Sequence, residues 1–305
     1  MSEKRRVGFI GLGAMGSRMA ANLLKKNFDL TVYDVRKEAV EILAAKGARP
    51  AKNPREVGMR AEVAVLSLPS QIEVSNTVLG ENGLLEGLNS GGIIVDTSTI
   101  DPSTARRIWL KAKEKKVGAV DAPVSGGTVG AEMGTLTIMV GGEKETVDAC
   151  MDVLRAIGKN IYYVGGPGSG QIFKLLNNML VGINLAAVGE ALVLASKAGV
   201  DLKLLYEVVK TSAGNSWAFE NKLPNMLEER FEPGFRVWLQ HKDLGLALNM
   251  ASEHLIATPL LAFTYAMFES AKALGLENMD HSAIVKVFEA MSNTKVSRYK
   301  PLKPQ

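Results

Sequence analysis

A chain of 305 residues, 47% hydrophobic and 22% charged with a net charge of +4, has the size of two domains and ample material for a core in each. One cysteine, Cys150, excludes an intramolecular disulfide framework, and three scattered histidines, His241, His254 and His281, read as surface or cap residues without metal-ligand spacing. The basic residues are dispersed and their densest run, Lys295–Lys303, reads as a solvated terminus, so neither nucleic acid nor a metal is expected as a partner.

The first residues, MSEKRR, run straight into VGFI with no signal-peptide pattern, which makes the cytoplasm the expected compartment. Strand-like runs then recur: 7–10, 30–33, 63–68, 92–97, 118–123, 136–140 and 160–165. Stretches of helical periodicity lie between most of them, including DPSTARRIWLKAKEKK, where Asp101 and Ser103 stand at favoured cap positions. Such alternation predicts an α/β Rossmann-type domain with a parallel-rich sheet and helices on both faces.

Past the turn-forming GGPGSG at 165–170 the strand signal ends, and helix follows helix. The expected organisation is a dinucleotide-binding domain over 1–166 and an all-helical substrate and oligomerisation domain over 167–305. Residues 178–199 are apolar enough to suggest a membrane span, but Asn184, Glu190 and Ser196 interrupt them. They are read instead as a long helix buried on most faces, with no membrane partner.

Three motifs carry chemistry. Gly11-Leu12-Gly13-Ala14-Met15-Gly16 follows a strand and opens a helix, as a dinucleotide site requires. Gly11 permits the turn, Gly13 lets backbone approach a pyrophosphate, and Gly16 lets the helix pack on the strand. Asp34, at the end of the next strand, suits ribose hydroxyls and so NAD; Arg36 two residues on keeps NADP possible. Leu68-Pro69 and Thr97-Ser98-Thr99, at later strand ends, should flank the same cofactor. The second motif, Ser125-Gly126-Gly127, is either an anion nest for a carboxylate or a plain turn.

The third is GQIFKLLNN, residues 170–178. On one helix Lys174 and Asn178 lie a turn apart on the same face, with Gln171 and Asn177 sharing part of it. A buried ammonium is costly, and desolvation would lower its pKa from about 10.4 toward neutrality, suiting it to proton transfer. The alternative is a lysine that snorkels to solvent.

Together GFIGLGAMGSRMAANL, DAPVSGG, GSGQIFKLLNN and KDLGLAL (242–248) resemble the β-hydroxyacid dehydrogenase family, in the family's order and across the whole chain. The resemblance implies a long interdomain helix and NAD(P)-dependent interconversion of a short 3-hydroxy acid and its semialdehyde. It implies that Ser125, Gly126 and Gly127 bind the substrate carboxylate, that Lys174 is the general acid and base, and that Asn178 orients the substrate. Lys242 would reach toward cofactor or substrate with Asp243 in support. Decarboxylating 6-phosphogluconate dehydrogenases carry histidine where Asn177 stands, and imine reductases and non-catalytic relatives lack the lysine, so all three are disfavoured.

Within the family, FEPGFRVWLQHKDLGLAL and MDHSAIVKVFEAMSN look most like tartronate semialdehyde reductases, with 3-hydroxyisobutyrate dehydrogenases the alternative. The substrate's side chain is expected near Trp217, Phe219 and Trp238, and the apolar run 256–268 suggests a homodimer or homotetramer.

Overall fold

The computed structural model describes residues 4–296; most of the basic run Lys295–Lys303 lies outside them. Two compact units emerge, Met1–Lys174 and Leu175–Gln305.

The first unit is built on a nine-stranded sheet. Its strands are β1 (Arg6–Ile10), β2 (Asp29–Tyr33), β3 (Arg49–Pro50), β4 (Val63–Leu66), β5 (Ile93–Asp96), β6 (Gly118–Asp121), β7 (Val124–Ser125), β8 (Leu136–Gly141) and β9 (Gly158–Gly165). The order β3-β2-β1-β4-β5-β6 is parallel throughout. This is the doubly wound arrangement, with β1 beside the point where the order reverses. Beyond β6, the strand β8 runs antiparallel to both β6 and β7, and β9 pairs parallel to β8.

Alternation along the strands shows why both faces carry helices. Val7, Phe9, Val63, Val65 and Val95 join one hydrophobic core, while Ile10, Ala64, Leu66 and Ile94 join a second on the opposite face. The covering helices are α1 (Gly16–Lys25), α2 (Lys37–Ala44), α3 (Pro54–Arg60), α4 (Gln71–Leu79), α5 (Leu84–Gly87), α6 (Pro102–Glu114), α7 (Gly127–Met133), α8 (Lys144–Ala149) and α9 (Met151–Ile157). Several begin on side-chain caps. Asp101 opens α6 by accepting from the Thr104 N–H at 2.7 Å, with the Ser103 hydroxyl also on its carboxylate. Cys150 is free and fully buried, and burial pushes its thiol up to about 12.

The second unit takes most of α10 (Ser169–Lys197), then α11 (Leu202–Lys210), α12 (Trp217–Leu227), α13 (Val237–Glu253), α14 (Pro259–Ala273), a 3-10 turn (His281–Ile284) and α15 (Val285–Ser292). Its core includes Leu185, Val188, Leu192, Leu223, Leu244, Phe268 and Phe288. The helix α10 is long and apolar enough to span a membrane by composition. Its buried residues are instead the spine of that core. It is not buried on most faces, however: Leu176, Leu180 and Leu194 are exposed, because the core takes only one side of the helix. Two histidines also differ from expectation. His281 is buried, and His241 is largely covered and stacked on Tyr265 at 4.4 Å. His254 does end α13 as a cap.

Candidate functional site

The glycine loop leaves β1 and enters α1 at the reversal point of the sheet. Gly11 has φ +91°, and a Cβ there would lie 2.3 Å from the Ser67 carbonyl oxygen, so only glycine fits. A Cβ on Gly16 would stand 1.9 Å from the Gly11 carbonyl oxygen, which is the close packing expected of the third glycine. A Cβ on Gly13 would meet nothing within 4 Å. That middle glycine borders open space, a cradle that a side chain would fill. The first turn of α1 has neither an acidic residue nor a side-chain cap, so its N–H groups and positive dipole end have no anionic side chain of their own. These features fit a dinucleotide pyrophosphate.

Asp34, just past β2, closes the loop from the other side. Its carboxylate accepts from the Leu12 N–H at 2.6 Å and the Arg36 N–H at 2.8 Å. The Arg36 guanidinium folds back on it, with Nε at 3.2 Å, and also donates to the Leu12 carbonyl at 3.1 Å. Burial alone would raise the Asp34 carboxyl, but the hydrogen bonds and charge from Arg36, with the Leu12 N–H, outweigh it and hold it below its usual value. Arg36 is thus engaged with the acidic residue rather than extended toward a competing anion.

The next two strand ends are laced together. The Leu68 N–H donates to the Ser98 hydroxyl at 2.9 Å, and the Ser98 N–H to Asp96 Oδ1 at 2.9 Å. Pro69 and Thr99 lie in the same two loops. The structure therefore brings Gly11–Gly16, Asp34, Arg36, Leu68, Pro69 and Thr99 to one edge of the first unit, the carboxyl ends of β1, β2, β4 and β5.

Ser125 ends the short β7, and Gly126 and Gly127 follow with φ +128° and +62°. A Cβ on Gly127 would meet nothing within 4 Å. Four residues before Ser125, the buried Asp121 accepts from the Gly168 N–H at 2.8 Å and the Gln171 N–H at 3.0 Å, pinning the start of α10 to β6. Burial pushes its carboxyl up to about 6 against the pull of those donors. Glycines make the approach close. A Cβ on Gly170 would lie 2.4 Å from the Met139 carbonyl oxygen, and one on Gly141 would lie 2.7 Å from both Asp121 Oδ1 and the Gly170 nitrogen.

Lys174 is buried, only 7% exposed, so the snorkelling alternative does not hold. Asn178 is buried in the second unit. It donates to Asp243 Oδ2 at 2.5 Å and accepts from Asn177 Nδ2 at 2.9 Å, while Gln240 Nε2 donates to its backbone carbonyl at 2.8 Å. Lys242, half-buried, forms an ion pair with the buried Asp243 at 3.0 Å, so Asn178, Asp243 and Lys242 are joined in one cluster. The aromatic residues expected around the substrate are dispersed. Phe219 is core, stacked on Tyr206 at 6.0 Å, whereas Trp217 is 58% exposed at the start of α12 and Trp238 is the second residue of α13.

The profile described as the NAD binding domain of 6-phosphogluconate dehydrogenase matches residues 6–165. The profile described as the NAD-binding region of NADP-dependent 3-hydroxyisobutyrate dehydrogenase matches residues 168–288. The 2-(hydroxymethyl)glutarate dehydrogenase of Eubacterium barkeri is 41% identical over 97% of this chain and 99% of its own. The 2-hydroxy-3-oxopropionate reductase of Escherichia coli is 37% identical over 96% and 100%. Among solved structures, Mycobacterium tuberculosis 3-hydroxyisobutyrate dehydrogenase with L-serine superimposes with a TM-score of 0.87 at 30% identity, covering 94% of this chain and 99% of that one. The chain belongs to the β-hydroxyacid dehydrogenase family. This β-hydroxyacid dehydrogenase is accordingly an NAD(P)-dependent oxidoreductase acting on a hydroxyl group.

In the sequence of this β-hydroxyacid dehydrogenase Gln171 is marked only as sharing part of the Lys174 face, and nothing marks the roles of Gln240 and Asp280. Gln171 is fully buried, its amide donating to the Ser98 carbonyl at 2.9 Å and accepting from the Ile100 N–H at 3.1 Å. Gln240 meets His281 Nδ1 at 3.3 Å. Asp280 accepts from Lys222 Nζ at 3.0 Å, from the Gly234 and Phe235 N–H groups and from Ser282. For Gln171 and Gln240 the signal was only a polar residue on a helix, and Asp280 stands in the loop before the 3-10 turn, patterns shared with ordinary surface positions.

Proposed function

We propose that this enzyme interconverts a short 3-hydroxy acid and its semialdehyde, and that its lead substrate is tartronate semialdehyde, reduced to glycerate. The observation that carries the reading is Lys174, a buried lysine on α10 whose helix start is pinned to the strand end leading to Ser125–Gly127. The hydroxy acids of the three relatives named above share one chemical core, a primary alcohol on the carbon next to the one bearing a carboxylate. They differ in the substituent on that middle carbon. The alternative substrate is 3-hydroxyisobutyrate.

The residues that would hold the cofactor are Gly11–Gly16 at the pyrophosphate, Asp34 at the adenosine ribose, and Arg36, Leu68, Pro69 and Thr99 around them. When bound, the nicotinamide accepts or supplies the hydride. Asp34, held ionised by Arg36 and Leu12, repels a 2′-phosphate and favours NAD over NADP. Ser125, Gly126 and Gly127 bind the substrate carboxylate through a hydroxyl and side-chain-free N–H groups. In the reductive direction Lys174 hydrogen-bonds the carbonyl oxygen as an ammonium and gives it a proton. In the oxidative direction neutral Lys174 takes the hydroxyl proton. Asn178, its orientation fixed by Asp243, aligns the substrate, and Lys242 assists from the same cluster.

Exposed apolar side chains of the second unit, among them Leu176, Leu180, Leu194, Ile256, Leu260 and Phe263, support a homodimer or homotetramer. A panel of kcat/KM values for glycerate, 3-hydroxyisobutyrate, L-serine and 3-hydroxypropionate, and for their semialdehydes, with both cofactors, tests the assignment. Tartronate semialdehyde with NADH should give the highest value. Silence across the panel would leave a non-catalytic cofactor-binding protein as the reading. Lys174→Ala should lower turnover roughly 10²–10⁴-fold with cofactor affinity little changed.

A further inference from the structure

We propose that Gln171 is a positioning residue. Its side-chain amide fixes the register between the loop after β5 and the first turn of α10, and thereby holds Lys174 in its reactive place. The inference rests on the reading of Lys174 as proton donor and acceptor.

The Gln171 side chain is 0% exposed, and both of its functional ends are used on the same loop. Nε2 donates to the carbonyl of Ser98 and Oε1 accepts from the N–H of Ile100, the two residues flanking Thr99. One amide thus does for this loop what an adjacent strand does for a strand, satisfying one donor and one acceptor side by side. Ser98 carries the connection onward, because its hydroxyl also accepts from the Leu68 N–H. Leu68, Ser98 and Gln171 form a single chain linking the ends of β4 and β5 to the helix.

On that helix Lys174 is three residues further along and therefore on the same side as Gln171. The backbone N–H of Gln171 is itself held by Asp121. The first turn of α10 is therefore fixed twice, by a carboxylate on β6 and by its own amide on the β5 loop. No other side chain in its usual ionisation state at neutral pH meets both demands at this length. Asparagine is one methylene short, methionine leaves a buried donor and acceptor unpaired, and an ionised glutamate cannot donate to the Ser98 carbonyl. A protonated glutamic acid can, since its two oxygens then reproduce the acceptor and the donor.

The test uses the full chain with Gln171→Met, Gln171→Glu, Lys174→Ala and the double variant Q171M/K174A. Q171M should lose about 10- to 100-fold in kcat, the scale of a misplaced catalytic group, with both KM values within about threefold of the parent. In the cofactor-free protein the Ile100 amide should exchange its hydrogen faster. For Q171E, the ratio of its kcat to the parent's should climb as pH falls from 8 to 5, because protonation restores the donor. This variant carries the test if Q171M does not fold. The double variant should match K174A. If K174A loses turnover while Q171M keeps kcat within twofold, the inference fails and the lysine reading stands. A pH-independent Q171E ratio, or a Q171M loss repeated in full in the K174A background, also overturns it. Full turnover in K174A overturns both.

Discussion

Replacing Gly170 by alanine tests how tightly α10 is registered on the sheet. The added Cβ would stand 2.4 Å from the Met139 carbonyl oxygen, 2.7 Å from the Asp121 carbonyl oxygen and 2.9 Å from Asp121 Oδ2. Ordinary contact begins at 3.4 Å, so the helix start must withdraw by about 1 Å. None of the three neighbours is the free end of a flexible chain that can swing aside. Alanine favours a helix interior by up to about 1 kcal/mol over glycine, but overpacking of this kind costs about 1–3 kcal/mol, so the clash wins. Lys174 lies four residues along and moves with the helix. A displacement of about 1 Å at a reacting group costs on the order of 10²-fold. G170A should therefore lose about 10- to 100-fold in kcat with a modest fall in Tm. Steady-state kinetics and a melting curve, with Gly166→Ala as control, decide it. Gly166 has open space around its missing Cβ and no positive φ, so that variant should behave as the parent. A G170A enzyme with kcat within threefold of the parent would refute the claim that this contact positions Lys174.

Other outcomes follow from the buried charges. Asp280→Ala strands the Lys222 ammonium, whose side chain is 13% exposed, along with three backbone N–H groups. It should cost about 3–5 kcal/mol in urea unfolding. Burial raises the Asp280 carboxyl, but His281, Lys222 and Ser282 hold it below its usual value, so its stabilising share is complete above pH 3.8 and is lost as pH falls through the lower folded value. Asp121 has the opposite sign. With its carboxyl raised from 3.8 to about 6, the folded protein holds the proton more tightly. Stability relative to Asp121→Asn should then drop by about 2 kcal/mol between pH 4 and pH 7, read from unfolding at both pH values. Asp34→Ala should free Arg36 and shift the NAD/NADP ratio of kcat/KM toward NADP by about tenfold or more, since it removes both the repelling carboxylate and the arginine's partner.

The sheet was legible because its strands are buried runs whose alternate residues feed two cores, and the glycine loop because its spacing is imposed by backbone contacts. The short strands β3 and β7 were not, since two residues carry no periodicity. Strand ends were overestimated at Leu68, Thr97 and Pro123, where the extended backbone leaves the ladder for the loops that carry the site. Lys174 and Asn178 stood out as polar residues on an apolar helix. Gln171 bore the same mark, but its partners are loop backbone groups about seventy residues earlier, which no local pattern announces. His281 was misread for a related reason. A histidine in a loop-like stretch looks exposed until Asp280 and Gln240 are seen around it.

The division between the two units falls immediately after Lys174, and every contact described for that end of α10 comes from the first unit: Asp121, Ser98, Ile100, Met139 and Gly141. The placement of Lys174, the proton carrier proposed above, is therefore set by residues of the first unit. Chimeras that cross over just beyond Lys174 should keep their chemistry while taking on the substrate range of whichever helical half is joined to them. On the proposed roles, exchanging the helical half would alter the group accepted beside the carboxylate and leave the proton-moving step in place.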